Sequence, residues 1–215
     1  MTLFHGITTE ELQEMYGCLG MRQKRYAKDQ AIWHSGTVIR QIAIVIQGTV
    51  YIKSHDIWDR EGIIGTATEG DVFGEAYACA GEPLAVEVTA ATECVIQFLS
   101  LQKVFTPCGK ACAFHSRLIA NLLSIMASKN LMLTGKIKDI SPRTIRERVL
   151  SYLYREAVRQ HAVSFEIPFN RQQLADYLCV DRSALSSTLS QLEKEGVLYC
   201  DKNSFILKRP DTVTG

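Results

Sequence analysis

Arg182 stands directly after Asp181 and is followed at helical spacing by Ser183, Ser186, Ser187 and Ser190. On a helix these side chains share one face, opposite Leu185, Leu189 and Leu192. A guanidinium can fork onto the acceptors of guanine, and hydroxyls can reach base edges or phosphates. The implied chemistry is the reading of duplex DNA, not bond making. A second set, Cys108, Cys112 and His115, places soft ligands at i, i+4 and i+7. Along one helix face these could bind zinc or another thiophilic metal, which would want a fourth ligand, or the thiols could sense oxidants. Packing residues satisfy the same spacing with no chemistry at all.

The reading residues need a scaffold, and residues 170–207 supply one. Asn170 can cap a helix with Gln173 at the third position, a capping-box variant. Leu174, Ala175 and Leu178 form its inner face, and Ala175 is small enough for a second helix to cross closely. Cys179-Val180-Asp181 is a three-residue turn, Asp181 caps a helix over Arg182–Glu195, and Gly196 ends it. A turn of this length sets the angle that carries the second helix into a major groove. Val197–Tyr199 and Phe205–Leu207 flank the polar Asp201–Ser204, a β-hairpin that serves as a wing.

Upstream, Ser141-Pro142 reads as the start of a helix over Arg143–His161, with Pro at its first position. Val163–Pro168 reads as a short strand. Arg143, Arg146, Arg148, Arg155 and Arg159 recur along that helix and read as a mostly solvated face. Over Cys108–Ile140 the residues Ile119, Leu123, Met126, Asn130, Leu133, Ile137 and Ile140 advance by fours and threes, a heptad seam with one polar member. Leu118, Leu122, Ile125 and Met132 form a second stripe. A helix apolar on two faces needs two partners: its own N-terminal domain and a second copy of the chain. Asn130 in the seam would fix the register of that pair.

Residues 26–100 differ in texture. Ile42–Ile46, Thr49–Ile52, Ile63-Ile64, Val86–Thr89 and Cys94–Phe98 are short β-branched runs separated by turn residues, the pattern of a sandwich or barrel. The composition, 47% apolar and 22% charged, excludes a disordered or low-complexity chain. Lys and Arg total 24 against 23 acids, a net charge of +1, so any basic footprint must come from local clustering. No run of about 18 uncharged apolar residues appears, and Met1–Glu14 lacks a signal-type apolar core, so no membrane partner and a cytoplasmic location are expected. Seven cysteines, an odd number, read as reduced thiols in that setting.

The order of β domain, seam helix and winged helix-turn-helix resembles the CRP/FNR superfamily of bacterial transcription regulators over nearly the whole chain. The resemblance rests on Gly70-Asp71-Val72-Phe73-Gly74-Glu75, on Leu174-Ala175-Asp176-Tyr177-Leu178-Cys179-Val180-Asp181-Arg182-Ser183, and on Leu192-Glu193-Lys194-Glu195-Gly196. It implies an α+β fold with an N-terminal double-stranded β-helix of jelly-roll type. It also implies a homodimer, a near-palindromic operator in double-stranded DNA, contact with RNA polymerase, and a small-molecule effector in the roll. By resemblance, Arg171 and Gln172 join Arg182, Ser183, Ser186 and Ser187 at the DNA. Gly74, Glu75, Leu84, Ala85, Lys129 and Asn130 surround the effector.

Two departures bear on the effector. Members that bind cyclic AMP carry an Arg-Ser pair in the phosphate-binding cassette where this chain has Leu84-Ala85, which offers neither cation nor hydroxyl to a cyclic phosphate. Iron–sulfur sensing needs four thiolates, and only Cys18 precedes residue 79. His5, His34 and His55 show no haem-type spacing. The expected domains are a sensing roll (1–107), a dimerisation helix (108–140) and a winged helix-turn-helix (141–215). No cofactor and no catalysis are expected. A cupin-like metal enzyme, the rival from another class, would need a His/Glu set within the strands, and residues 40–100 hold only His55.

Overall fold

Thr8 opens the first helix, α1 (Thr9–Leu19): its hydroxyl accepts from the Glu11 amide at 3.2 Å while the Glu11 carboxylate accepts from the Thr8 amide at 2.8 Å. This capping box satisfies two orphan amides at once. The computed structural model describes residues 2–55, 61–106 and 113–208. They fall into two compact units, Met1–Lys129 and Asn130–Gly215.

In the first unit, α1 is followed by β1 (Arg22–Tyr26), β2 (Ala31–Trp33), β3 (Gln41–Gln47), β4 (Val50–His55), β5 (Glu61–Ala67) and β6 (Val72–Phe73). Then come α2 (Glu75–Ala80), β7 (Glu87–Ala90), β8 (Cys94–Ser100) and α3 (Leu101–Phe105). The strands form two four-stranded antiparallel sheets, ordered β1-β8-β3-β6 and β2-β7-β4-β5, the expected jelly-roll-like architecture. All five expected β-branched runs coincide with strands, with Thr49 and Val86 falling one residue before β4 and β7. Four successive residues of β3, Ile42–Val45, are buried, so both of its faces are covered. Leu3, Met15, Leu19, Leu118 and Leu122 join the same apolar cluster.

Trp33 packs edge-on against Phe73 and Phe98, with ring centroids 5.3 and 5.7 Å away. Gly74 caps α2 beneath that ring at φ +79°, and a Cβ there would come within 2.5 Å of Trp33. Both the left-handed backbone and the indole therefore demand glycine.

The long helix α4 (Ala113–Ile140) joins the units. Leu118, Leu122 and Ile125 are buried in the first unit's core, and Ile119 and Met126 pack against it. Asn121 donates to the carbonyls of Leu3 and His5 at 2.9 and 2.8 Å, tying the N-terminal segment down. Leu123, Leu131, Met132, Leu133 and Ile137 are exposed. Over His115–Ile140 this helix is long and apolar enough to cross a membrane by length and composition alone. Its apolarity has a local cause in the stripe buried against the roll, and Lys129, Lys136, Lys138 and Asp139 interrupt the rest.

The second unit continues with α5 (Ile145–Gln160), β9 (Ser164–Glu166), α6 (Arg171–Leu178), α7 (Arg182–Lys194), β10 (Leu198–Asp201) and β11 (Ser204–Leu207). The last two strands form a hairpin through Lys202-Asn203, and β9 pairs with β11 on its other edge. Sequence reading misplaced one start: Thr144, not Ser141-Pro142, caps α5, with Glu147 completing a capping box. Replacing Gly74 by Ala forces a side chain into the left-handed region and into the indole, and should destabilise the first unit by at least about 2 kcal/mol. The measurement is urea unfolding followed by hydrogen exchange of the β3 and β8 amides.

Candidate nucleic-acid interface and effector site

The reading head is built by local rules. Asn170 caps α6 by accepting from the Gln173 amide at 2.9 Å, and the Gln173 side chain returns the bond at 2.9 Å. Leu174, Ala175 and Leu178 from α6 meet Leu185, Leu189 and Leu192 from α7 in one buried cluster, with Ala175 fully enclosed. Asp181 caps α7 by accepting from the Ser183 and Ala184 amides and from the Ser183 hydroxyl. Those bonds, the hydroxyl's foremost, hold the Asp181 carboxyl below its usual range.

Arg182, Ser186, Ser187 and Ser190 are exposed on α7, on the face away from the leucines. Ser183 is exposed too, but its hydroxyl is committed to the cap. Gln172 is exposed and donates to Asp176 at 2.8 Å. Arg171 is half-buried and leans on Cys200 of β10, its nitrogen 3.8 Å from the sulfur. Burial pushes the Cys200 thiol up, and Arg171 pulls the other way.

The turn between the helices holds Cys179 at φ +54°, a conformation glycine adopts freely and cysteine does not. Val180 N–H reaches back to Ala175 at 3.0 Å, closing the end of α6. Arg148 braces it: its guanidinium donates to the carbonyls of Leu178 and Cys179 at 3.3 Å each and of Pro142 at 2.8 Å. A cation on the last carbonyls also offsets the negative end of the helix dipole.

The expected solvated arginine face is therefore mostly structural. Arg146 pairs with Glu195 at 2.6 Å, Arg155 with Asp139 at 2.7 Å and Arg159 with Glu156 at 2.6 Å, while Arg143 is exposed. Asp139, with a side chain only 1% exposed, accepts from two Arg155 nitrogens, the Tyr177 hydroxyl at 3.1 Å and the Ser151 hydroxyl at 3.2 Å. This network joins the end of α4 to α5 and α6. Sequence reading missed it because its members lie 12 to 38 positions apart, and only the burial of an acid at the end of an apolar helix hinted at a partner.

In the first unit, Glu75 begins α2 with a side chain 7% exposed, and Lys129 of α4 donates to it at 2.6 Å. Lys129 also donates to the Val72 carbonyl at 2.6 Å, and its side chain is 43% exposed. The structure thus brings together Gly74, Glu75 and Lys129. Leu84 is buried in the roll's core, its amide bonded to Thr37 and its carbonyl accepting from Gly36. Ala85 is exposed, and Asn130 is exposed on α4, accepting from Thr134 at 3.4 Å. Cys108 and Cys112 lie outside the described residues. His115 is buried, and its Nδ1 has no hydrogen-bond partner among the described residues. No group of three metal-ligating side chains occurs among those residues.

Residues 23–107 match the cyclic nucleotide-binding domain and residues 147–212 the Crp-like helix-turn-helix domain. The chain is 26% identical over 194 residues to the nitrogen fixation regulation protein FixK of Azorhizobium caulinodans, covering 86% of this chain and 74% of that protein. It is 25% identical over 193 residues to the cAMP-activated global transcriptional regulator Vfr of Pseudomonas aeruginosa, covering 86% and 88%. The structure of CprK complexed with OCPA superposes with a TM-score of 0.66 at 15% identity, over 93% of this chain and 92% of that one, a likeness of fold.

Burial pushes the Tyr177 hydroxyl up to about 12 from its ordinary 10, and burial raises Tyr152 beside it in the same direction. A group raised on folding contributes stability that is whole below its unfolded value and is lost as pH climbs through the folded one. The second unit should therefore lose thermal stability between pH 10 and 12. Tyr177→Phe should make that loss shallower in circular-dichroism melts taken across the range.

Proposed function

The chain belongs to the CRP/FNR superfamily of bacterial transcription regulators, and from that membership we propose that it is a dimeric DNA-binding regulator, without catalysis of its own, whose operator affinity is set by an effector other than cyclic AMP in the roll. The observation that carries this reading is Arg182, exposed at the capped N-terminus of a recognition helix whose opposite face is locked by leucines. Arg182 and the serines Ser186 and Ser187 read base edges, with Ser183 at the helix entrance. Gln172 and Arg171 at the start of α6 approach phosphates. Two such heads, about 34 Å apart in successive major grooves, fit a near-palindromic operator.

The dimer is supported by the exposed seam of Leu123, Asn130, Leu133 and Ile137 on α4, too apolar a stripe for solvent. Residues 1–107 then sense, 108–140 pair and 141–215 read, in the cytoplasm, with RNA polymerase as a further partner.

The effector site is the neighbourhood of Gly74, Glu75, Leu84, Ala85, Lys129 and Asn130. Vfr is cAMP-activated by name, yet at the cassette position this chain buries Leu84 and exposes Ala85, so a cyclic phosphate would find no cation or hydroxyl there. The Lys129–Glu75 pair couples such a ligand to α4: whatever engages either group acts on the helix that carries the seam. A second reading, metal or redox control through Cys108, Cys112 and His115, is favoured by the buried Nδ1 of His115, which has no hydrogen-bond partner among the described residues. Metal analysis of the purified chain with and without Cys112→Ser separates the two.

Arg182→Ala should weaken operator binding by about 1–3 kcal/mol and relax preference at one base pair. Fluorescence anisotropy on an operator and its single-base variants measures this, and equal loss on every sequence would make Arg182 a phosphate contact. In sedimentation the wild-type chain should run as a dimer and Leu133→Asp as a monomer.

A further inference from the structure

The second unit carries an apolar groove that the reading head does not use. Helix α5 turns Val149, Tyr152 and Leu153 into the core, which leaves Leu150, Tyr154, Ala157 and Val158 on its other flank. Tyr154 and Val158 are 69% and 54% exposed. Val163, 58% exposed, faces them together with Val197 and Leu207 across a groove of about 510 Å³. That is the size of a small-molecule site. Its banks are pinned by main chain: Ala162 N–H bonds to Ala157 at 3.1 Å, Leu207 N–H to Val163 at 2.9 Å and Lys208 N–H to Val197 at 3.0 Å. The backbone of the groove is thus preformed.

Its polar lining is one-sided. Lys208 is the one charged residue on it and Tyr154 and His161 can each donate or accept, while among the described residues no Asp or Glu lines it. An apolar trough with a lysine at its margin complements an apolar body ending in an anion, and the like charge of Lys208 disfavours an amine. We infer that this groove is a second ligand site, separate from the roll, and that it takes a small carboxylate with an acyl or aryl tail. The ligand lies along α5 with its tail on Leu150, Ala157 and Val158 and its carboxylate toward Lys208. There it bridges α5 to the base of the wing hairpin.

The test uses the full chain and matched probes in isothermal titration calorimetry: octanoate, octan-1-ol and octylammonium. Octanoate should saturate at one per chain, about fivefold tighter than octan-1-ol, with octylammonium weakest. Lys208→Gln should bring octanoate down to the octan-1-ol level and leave octan-1-ol unchanged. Val158→Glu alters an exposed side chain, so the fold should survive, as an unchanged melting temperature would show. It should abolish octanoate binding. The inference is overturned by the absence of saturable binding, by equal affinity for octanoate and octylammonium, or by octanoate binding that survives Val158→Glu. It is also overturned if Val158→Glu changes the sedimentation of the chain, which would make the groove a contact between copies. Operator binding, measured on the same samples, stands or falls independently of these outcomes.

Discussion

A carboxylate removed from water must be given partners or it will not stay ionised there, and Asp139 is almost wholly removed. It sits one residue before the end of α4, and its donors come from α5 and from the first helix of the reading head. Within the second unit, α5 and α6 are thereby tied to the last turn of α4 by one acid and the groups that satisfy it. Losing Arg155 would leave the buried acid without its cation, at a cost on the order of several kcal/mol for a pair that is mostly buried on one side. The cage is consequently far stiffer than the exposed ion pair between Arg146 and Glu195, which water screens on both sides. The reading head inherits its position from this cage, since Arg182 is carried by α7, α7 is packed on α6, and α6 is held through Tyr177.

What could be read from sequence follows from how local each interaction is. The caps at Asn170 and Asp181, the leucine spacing of α7 and the hairpin all involve near neighbours and lie where the residues indicated, though the turn is Lys202-Asn203 and the flanking Asp201 and Ser204, expected in the turn, pair on the strands. The β-branched strands were legible for the same reason. Strand β1 was not: four of its five side chains are exposed, and Arg22-Gln23-Lys24-Arg25 becomes a strand only because β8 offers it a ladder. Helices α2 and α3, six and five residues long, have no room for an apolar period to repeat. The arginines of α5 looked like a solvated face because alternation with acids usually means that. Only the fold reveals that Arg148 and Arg155 reach carbonyls and a carboxylate far along the chain.

The contact between Glu75 and Lys129 shows the same division. Glu75 was visible through its motif and Lys129 through its place on the helix, but their contact across 54 positions was not. Once made, that contact gives the roll something the altered cassette lacks, a cation beside the buried acid. Glu75 is held in place by α2 and by Lys129, while Lys129 keeps part of its side chain in solvent.

Cys179 sits where the backbone favours glycine, and the guanidinium that grips its carbonyl belongs to a residue 31 positions earlier. The tolerance of one site is thus lent by the other. Exchanging Arg148 alone removes the support while the strain stays, whereas with glycine already at 179 the same exchange meets a turn that is comfortable unaided. Mutational effects at these two positions will not add, and the order in which they change decides which intermediates keep a usable reading head.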